Sequence, residues 1–326
     1  MTVKAGWLAI LLSTASLVAQ ADYSEQPAVQ QFIDEMVEKH QFQRQQLEPL
    51  FSSAEKKQSI VDAISRPAEK VKEWKDYRRI FLVGDRAERG AAFYQTYQKE
   101  LDRAESVYGV PAEIIVAIIG IETQYGTYTG RYRVIDSLST LAFDYPPRAP
   151  FFRSELEQYL ILTREQGVDP LSLKGSYAGA MGWGQFISSS YRHYAVDFDG
   201  DGKTDIWHNP SDAIGSVANY FKVHGWQSGQ PVTTRVAVNK NSDQSKVNTG
   251  LELNSTVGEL QTAGFQPSQS LPSAMKANIW QLQGEYGSEY WITLPNFYTI
   301  TRYNHSHLYA MAVYQLSQDV AALIKP

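Results

Sequence analysis

The stretch Pro111-Ala-Glu-Ile-Ile-Val-Ala-Ile-Ile-Gly-Ile-Glu122-Thr-Gln-Tyr-Gly126 decides how the rest of the chain is read. Pro111 suits the first residue of a helix, and Gly126 suits a C-cap. Between them Ile115, Ile118, Ile119 and Glu122 recur at helical spacing and share one face. A helix is therefore expected, with one carboxyl at the end of an apolar stripe. A carboxyl among isoleucines loses solvation, which disfavours its ionised form and raises its pKa. A carboxylic acid still protonated near neutral pH can donate a proton in catalysis. The same pattern also fits a structural carboxylate at the rim of the stripe, exposed or paired with an arginine.

Toward the N-terminus, residues 27–110 read as helices. Val29, Phe32, Ile33, Met36 and Val37 form one stripe, Gln41 to Phe51 and Gln58 to Ile64 read as short helices, and Arg66-Pro67 is a break. Gly90 to Tyr108 reads as one long amphipathic segment. Residues 1–21 read as a secretory signal: Lys4 gives a positive start, Trp7 to Val18 is largely apolar, and Ala19-Gln20-Ala21 supplies a small-x-small cleavage pattern. The apolar run is short for a membrane span.

Toward the C-terminus, Asp136 to Asp144 is expected to be a short helix, Tyr145 to Pro150 a forced loop and Phe151 to Glu165 a further helix. Then comes Lys174-Gly-Ser176-Tyr-Ala-Gly179-Ala-Met-Gly182-Trp-Gly184-Gln185-Phe186. Its glycines let a backbone approach something closely. Its hydroxyls, indole and amide suit a sugar, whose faces stack on aromatics and whose edges hydrogen-bond. A tight helix-packing contact fits the same residues equally well.

Asp197-Phe-Asp199-Gly-Asp201-Gly202-Lys203-Thr-Asp205 matches a D-x-D-x-D-G calcium loop. Carboxylates at alternate positions converge on one hard cation, Gly202 makes the turn, and Lys203 can offer its carbonyl. His208 stands where the last bidentate glutamate would be, and Asp212 can replace that ligand if the loop is longer. A solvated acidic turn is the alternative. Asp212 to Gly225 is expected to be helical. From Pro231 the texture turns β-rich, with strands expected at Thr233 to Val238, Asn278 to Gln283, Tyr290 to Leu294 and Phe297 to Tyr303, and a short helix at Thr256 to Ala263. His307 to Ile324 closes the chain as a helix with Leu308, Ala312, Val313, Leu316 and Val320 apolar.

Taken together, Ile118 to Gly126, Gly175 to Phe186, Asp197 to Trp226, and Ile300-Thr-Arg-Tyr-Asn304 with Tyr309-Ala-Met-Ala-Val-Tyr carry a resemblance. The chain resembles the lytic murein transglycosylase B family from about residue 25 onward. The resemblance implies a mainly α (α+β) fold: a helical domain over residues 22–110, a lysozyme-like catalytic core over 111–230 with the EF-hand-like loop, a small β-rich domain over 231–300, and a C-terminal helix over 301–326 packing on the core. It implies that Glu122 is the sole general acid and base, and that Ser176 and Gln185 hold the sugar and its N-acetyl group. Tyr77, Arg148, Tyr220, Tyr303, Asn304 and Tyr309 are expected to line the groove. Asp197, Asp199, Asp201, Lys203 and Asp212 are expected to hold a structural calcium ion. The implied reaction cleaves the N-acetylmuramic acid–N-acetylglucosamine bond of peptidoglycan and leaves a 1,6-anhydro end. Phe151 departs from the family pattern, which has an aromatic hydroxyl there, and the loop before Asp212 is one residue longer.

The chain has 326 residues, a formal charge of −5 and no cysteine. A net acidic chain without lysine or arginine runs argues against nucleic acid. Without cysteine neither a disulfide nor a lipidated cysteine is possible, so a soluble periplasmic monomer without a lipid anchor is expected. Glycan strands are the expected partner, with cell-wall synthesis or remodelling proteins beside them. A hydrolytic muramidase on the same fold and a non-catalytic peptidoglycan-binding scaffold remain open alternatives. A metal-dependent hydrolase is disfavoured, because such a loop saturates calcium with protein oxygens and the six histidines form no H-E-x-x-H pair.

Overall fold

The computed structural model describes residues 23–66 and 72–325, so the expected signal segment lies outside the described residues. Contacts divide the chain into two compact units, one up to Lys56 and one from Lys57.

The first unit holds α1 (Pro27–His40) and α2 (Arg44–Ser53). Val29, Phe32, Ile33 and Met36 are buried at helical spacing, while Val37 lies at the edge of the stripe, and Phe32 meets Phe51 of α2 edge-on at 5.8 Å.

The second unit is built of helices α3 (Gln58–Ser65), α4 (Trp74–Phe81), α5 (Arg86–Thr96), α6 (Gln98–Tyr108), α7 (Ala112–Thr123), α8 (Val134–Asp144), α9 (Ala149–Gln166), α10 (Ser188–Tyr194), α11 (Pro210–Val223), α12 (Val257–Thr262), α13 (Pro295–Tyr303) and α14 (His307–Ile324). At its centre is α7. Every residue from Ala112 to Ile121 is buried, so the expected stripe is a helix apolar all round. α14, α5, α6 and α11 pack around it. Pro111 occupies the N-cap rather than the first helical position, and Gln124 rather than Gly126 provides the left-handed C-cap. The segment read as one helix from Gly90 to Tyr108 breaks at Tyr97. Its two halves bury different faces: α5 packs against α14 and α7, and α6 against α11.

The β-rich part is a five-stranded antiparallel sheet of β3 (Thr233–Val238), β4 (Ser255–Thr256), β5 (Phe265–Pro267), β6 (Lys276–Gly284) and β7 (Gly287–Thr293), in the order β4-β6-β7-β3-β5. The β6–β7 hairpin pairs in register from Asn278 with Thr293 to Gly284 with Gly287. Val257 and Leu260 of α12 join Phe265, Ala277, Ile279, Ile292 and Leu294 in its core. A separate two-stranded ribbon, β1 (Tyr132–Arg133) with β2 (Lys174–Gly175), ties the segment after α7 to the glycine-rich stretch. The strand expected at Phe297 to Tyr303 is instead α13. Pro295 opens it at the first turn, and Phe297, Ile300 and Thr301 are buried at i, i+3 and i+4, so packing overrides the β-propensity of the sequence.

Candidate functional site

Glu122 sits in the last turn of α7 and is half-buried. The Tyr309 hydroxyl of α14 donates to its Oε1 at 2.5 Å, and Tyr309 is itself 2% exposed. Burial lifts the Glu122 carboxyl, the Tyr309 hydrogen bond pulls it partly back, and the balance stands at about 7. Among the described residues no arginine or lysine forms an ion pair with Glu122, so the rim-carboxylate alternative does not fit. Asp136, a neighbouring carboxylate by sequence, is buried and held by Arg133 through contacts of 2.8 and 2.9 Å.

The turn after Glu122 is unusual. Gln124 and Tyr125 both adopt left-handed backbone, at φ 50° and 61°. Consecutive non-glycine residues in this region cost roughly 1–3 kcal/mol each and persist only where surroundings impose them. Arg86 donates to Gly120 O at 2.7 Å, Arg89 donates to Gln124 O at 2.8 Å, and Tyr125 donates its hydroxyl proton to Arg86 O. Thr123 Oγ1 donates to Trp183 O and accepts from Gly126 N, joining the turn to the glycine-rich stretch. Arg86 and Arg89 are absent from the sequence reading. Their one visible signal is a spacing of three, which puts both on one face of α5.

The glycine-rich stretch makes the close packing that was one of the two uses left open for it. Gly182 has φ +69° and a Cβ there would lie 2.5 Å from Ile206 O, so packing alone requires glycine. Its polar groups are also arranged. Ser176 Oγ accepts from Ala178 N and Ala180 N, which leaves its proton free to donate. Gln185 donates Nε2 to Thr129 O and Gly182 O, which leaves its Oε1 as an acceptor.

A cavity of 370 Å³ is lined by Arg148, Phe151, Gln185, Tyr220, Arg302 and Tyr303, among others. Tyr303 donates to Gly184 O at 2.5 Å, and Tyr220 donates to Arg302 O at 2.6 Å. Tyr303 and Tyr309 are both raised well above the ordinary phenol range, chiefly by burial and secondly by the Glu122 carboxylate. Tyr77 stacks on Trp74 within α4 and is an electrostatic neighbour of Tyr309. Arg148 is exposed with its guanidinium over the Phe151 ring at 4.5 Å. Asn304 is exposed at the end of α13, where its carbonyl accepts from Ser306 N. The structure thus brings Glu122, Tyr77, Tyr303 and Tyr309 into one neighbourhood, and sets Gln185, Tyr220 and Arg148 with Tyr303 along the cavity. A larger cavity of 820 Å³, which includes Asn241, Asp243, Lys246 and Glu259, lies beside the sheet and does not contain Glu122.

In the acidic loop, Asp197, Asp199 and Asp212 bring one carboxylate oxygen each within 4.8 Å of the others. Asp197 accepts from Gly200 N and Gly202 N, and Asp199 accepts from Asn209 Nδ2 at 2.8 Å. Asp212 is 0% exposed and accepts from Phe198 N and Asp205 N, both at 2.7 Å. Three clustered carboxylates of hard oxygen donors fit calcium. Asp201 stands outside the trio and accepts from Lys203 N, while Asp205 caps the turn at Trp207 and His208. Arg103 of α6 anchors the loop, donating to Phe198 O at 2.6 Å and lying over that ring.

A carboxyl that holds its proton near neutral pH, close to the buried Tyr303 and Tyr309 on a mainly helical core, has the chemistry of a general acid. A family model described as the transglycosylase SLT domain matches residues 24–318, and the chain belongs to that family. It is 48% identical over 309 residues to the membrane-bound lytic murein transglycosylase B of Escherichia coli strain K12, covering 92% of this chain and 84% of that protein. The structure of the catenated lytic transglycosylase SltB1 from Pseudomonas aeruginosa matches with a TM-score of 0.91 and 54% identity, over 93% of this chain and all of that one. The Escherichia coli lytic transglycosylase Slt35 in complex with calcium matches with a TM-score of 0.86 and 46% identity, over 94% and 96% of the two chains.

Proposed function

We infer that the chain is a lytic murein transglycosylase, a carbon–oxygen lyase that cleaves the β-1,4 bond between N-acetylmuramic acid and N-acetylglucosamine in peptidoglycan and leaves a 1,6-anhydro-muramic acid end. The observation that carries the mechanism is the Glu122 carboxyl, lifted to about 7 by burial and hydrogen-bonded by Tyr309. Protonated Glu122 gives its proton to the glycosidic oxygen as the bond to C1 breaks. The substrate's own 2-acetamido carbonyl shields the electron-poor C1, a one-carboxyl variant of the usual two-carboxylate scheme. Ionised Glu122 then takes the proton of the C6 hydroxyl, and that oxygen closes on C1. The acid is restored and no water is consumed. Commitment of Asp136 to Arg133 supports the one-carboxyl scheme over hydrolysis.

Ser176 and Gln185 hold the sugar and its N-acetyl group in this reading, with Tyr77, Arg148, Tyr220, Tyr303, Asn304 and Tyr309 along the strand. Asp197, Asp199 and Asp212 would hold a calcium ion, which when bound neutralises their charge and braces the loop. The protein acts on glycan strands in the periplasm after export. Mass spectrometry of soluble products from purified peptidoglycan tests the reading. Muropeptides ending in anhydro sugars, one water lighter than reducing ones, are expected; reducing ends would mean a hydrolase.

A further inference from the structure

Two large aromatic side chains next to the catalytic turn are left in water. Tyr128 is 66% exposed and Tyr177 is 41% exposed. Among the described residues neither ring stacks on another aromatic or lies under a cation, and neither hydroxyl has a hydrogen-bond partner. An exposed tyrosine on a mobile loop would mean little. These two stand on backbone that is held at several points.

Tyr128 N donates to Thr123 O at 2.9 Å, one residue from Glu122. The following carbonyl, Thr129 O, accepts from Gln185 Nε2. Gly130 then lies flat against the glycine-rich stretch: its φ is +106°, and a Cβ there would stand 2.1 Å from Gly175 O and 2.5 Å from Ser176 N. Only glycine permits that approach. On the other side Tyr177 directly follows Ser176, whose Oγ closes the turn through Ala178 N and Ala180 N. The two exposed side chains are therefore carried on two segments locked to each other, Tyr128 six residues after Glu122 and Tyr177 directly after Ser176.

We propose that Tyr128 and Tyr177 form a stacking platform for a pyranose ring of the glycan strand, adjoining the sugar held by Ser176 and Gln185. A pyranose presents a face of C–H groups that packs on an aromatic face, with hydroxyls at its edge for the phenol oxygens. The occupant is the strand itself, because the platform shares its backbone with Glu122, Ser176 and Gln185. The proposal rests on the glycan-cleaving reading of that site. It adds a binding surface beyond the residues already assigned and makes length of strand a determinant of affinity.

The test measures binding of peptide-free N-acetylglucosamine tetramer and hexamer to the mature chain carrying Glu122→Gln, which separates binding from turnover. Tyr128→Ala and Tyr177→Ala are each expected to weaken hexamer binding about five- to tenfold, with the double variant weaker still. Tyr128→Trp is expected to restore it. Both side chains are exposed, so the melting temperature checks that the fold is kept. With the acid intact, the losses are expected in KM for glycan strands and not in kcat. Hexamer affinity equal to that of the parent in the double variant would overturn the platform. So would a loss confined to peptide-bearing fragments, which would place the stem peptide there instead. Failure of the parent chain to form anhydro products, with tyrosine-dependent hexamer binding kept, would overturn the reaction and leave the platform standing.

Discussion

Two regions of this molecule set carboxylates in different surroundings. At the end of α7 one half-buried carboxyl loses solvation, with no ion pair to it among the described residues, and its pKa is driven up to about 7. In the Asp197–Asp212 loop three carboxylates crowd together under backbone N–H groups, and the Asn209 amide holds Asp199 below its usual range. The first environment keeps a proton available for transfer. In the second, hydrogen-bond donors pull Asp199 down while burial pushes Asp212 up, and the three clustered oxygens suit a hard cation. Residue type alone does not distinguish acid from ligand; the donors and the water around it do.

The largest expected effect breaks the first side of the comparison. Glu122→Gln removes the proton donor but keeps its shape and its acceptor for Tyr309, so turnover of peptidoglycan should fall by at least about 10²–10⁴. The same change sharpens the comparison through stability. Glu122 moves from an ordinary 4.5 to about 7 in the fold, so the folded state holds its proton more tightly than the unfolded state does. The stability this contributes is full below pH 4.5 and is lost as the pH rises through 7. Above that window ionisation costs roughly 3 kcal/mol, which glutamine does not incur. Denaturant titrations should show Glu122→Gln gaining on the parent between pH 5 and 8; parallel curves would mean the carboxyl is not desolvated.

The second side is tested at Asp212. Alanine there leaves the buried Phe198 N and the part-buried Asp205 N without their acceptor and removes a member of the trio. A loss of about 2–4 kcal/mol is expected by chemical denaturation. Chelation of calcium should lower the melting temperature of the parent and leave Asp212→Ala unmoved. Equal sensitivity to chelator in both proteins would separate Asp212 from the ion.

The sequence made the two regions visible to different degrees. The isoleucines around Glu122 announce a buried helix, and the alternating aspartates announce a loop, because both signals are local periodicities. Phe297 to Tyr303 misleads for the same reason: aromatic and β-branched residues look like a strand until Pro295 and the core decide otherwise. Arg86 and Arg89 escape notice because their targets are backbone carbonyls more than thirty residues on. No pattern of side chains encodes a carbonyl. Asp201 belongs to the loop motif, yet it turns toward Lys203 N and stands apart from the trio.

The contact least visible in the sequence joins residues 187 apart, the Tyr309 hydroxyl and Glu122. It is the one force that opposes burial at this carboxyl, and it yields the smallest and most specific prediction. Tyr309→Phe leaves desolvation unopposed, so the Glu122 pKa should move up. Activity requires the protonated acid, so the alkaline limb of the kcat profile should move to higher pH by the same amount. The variant should lose ground at pH 5–6, where the acid is protonated in both proteins and orientation by the phenol counts. It should recover relative to the parent at pH 8. Tyr309 itself stays protonated across this range, since burial and the carboxylate both raise it well above the ordinary phenol value, so its own titration does not confuse the profile. A limb that moves down would mean that the hydroxyl meets the protonated acid as an acceptor, and the balance of forces at Glu122 would have to be redrawn from desolvation alone.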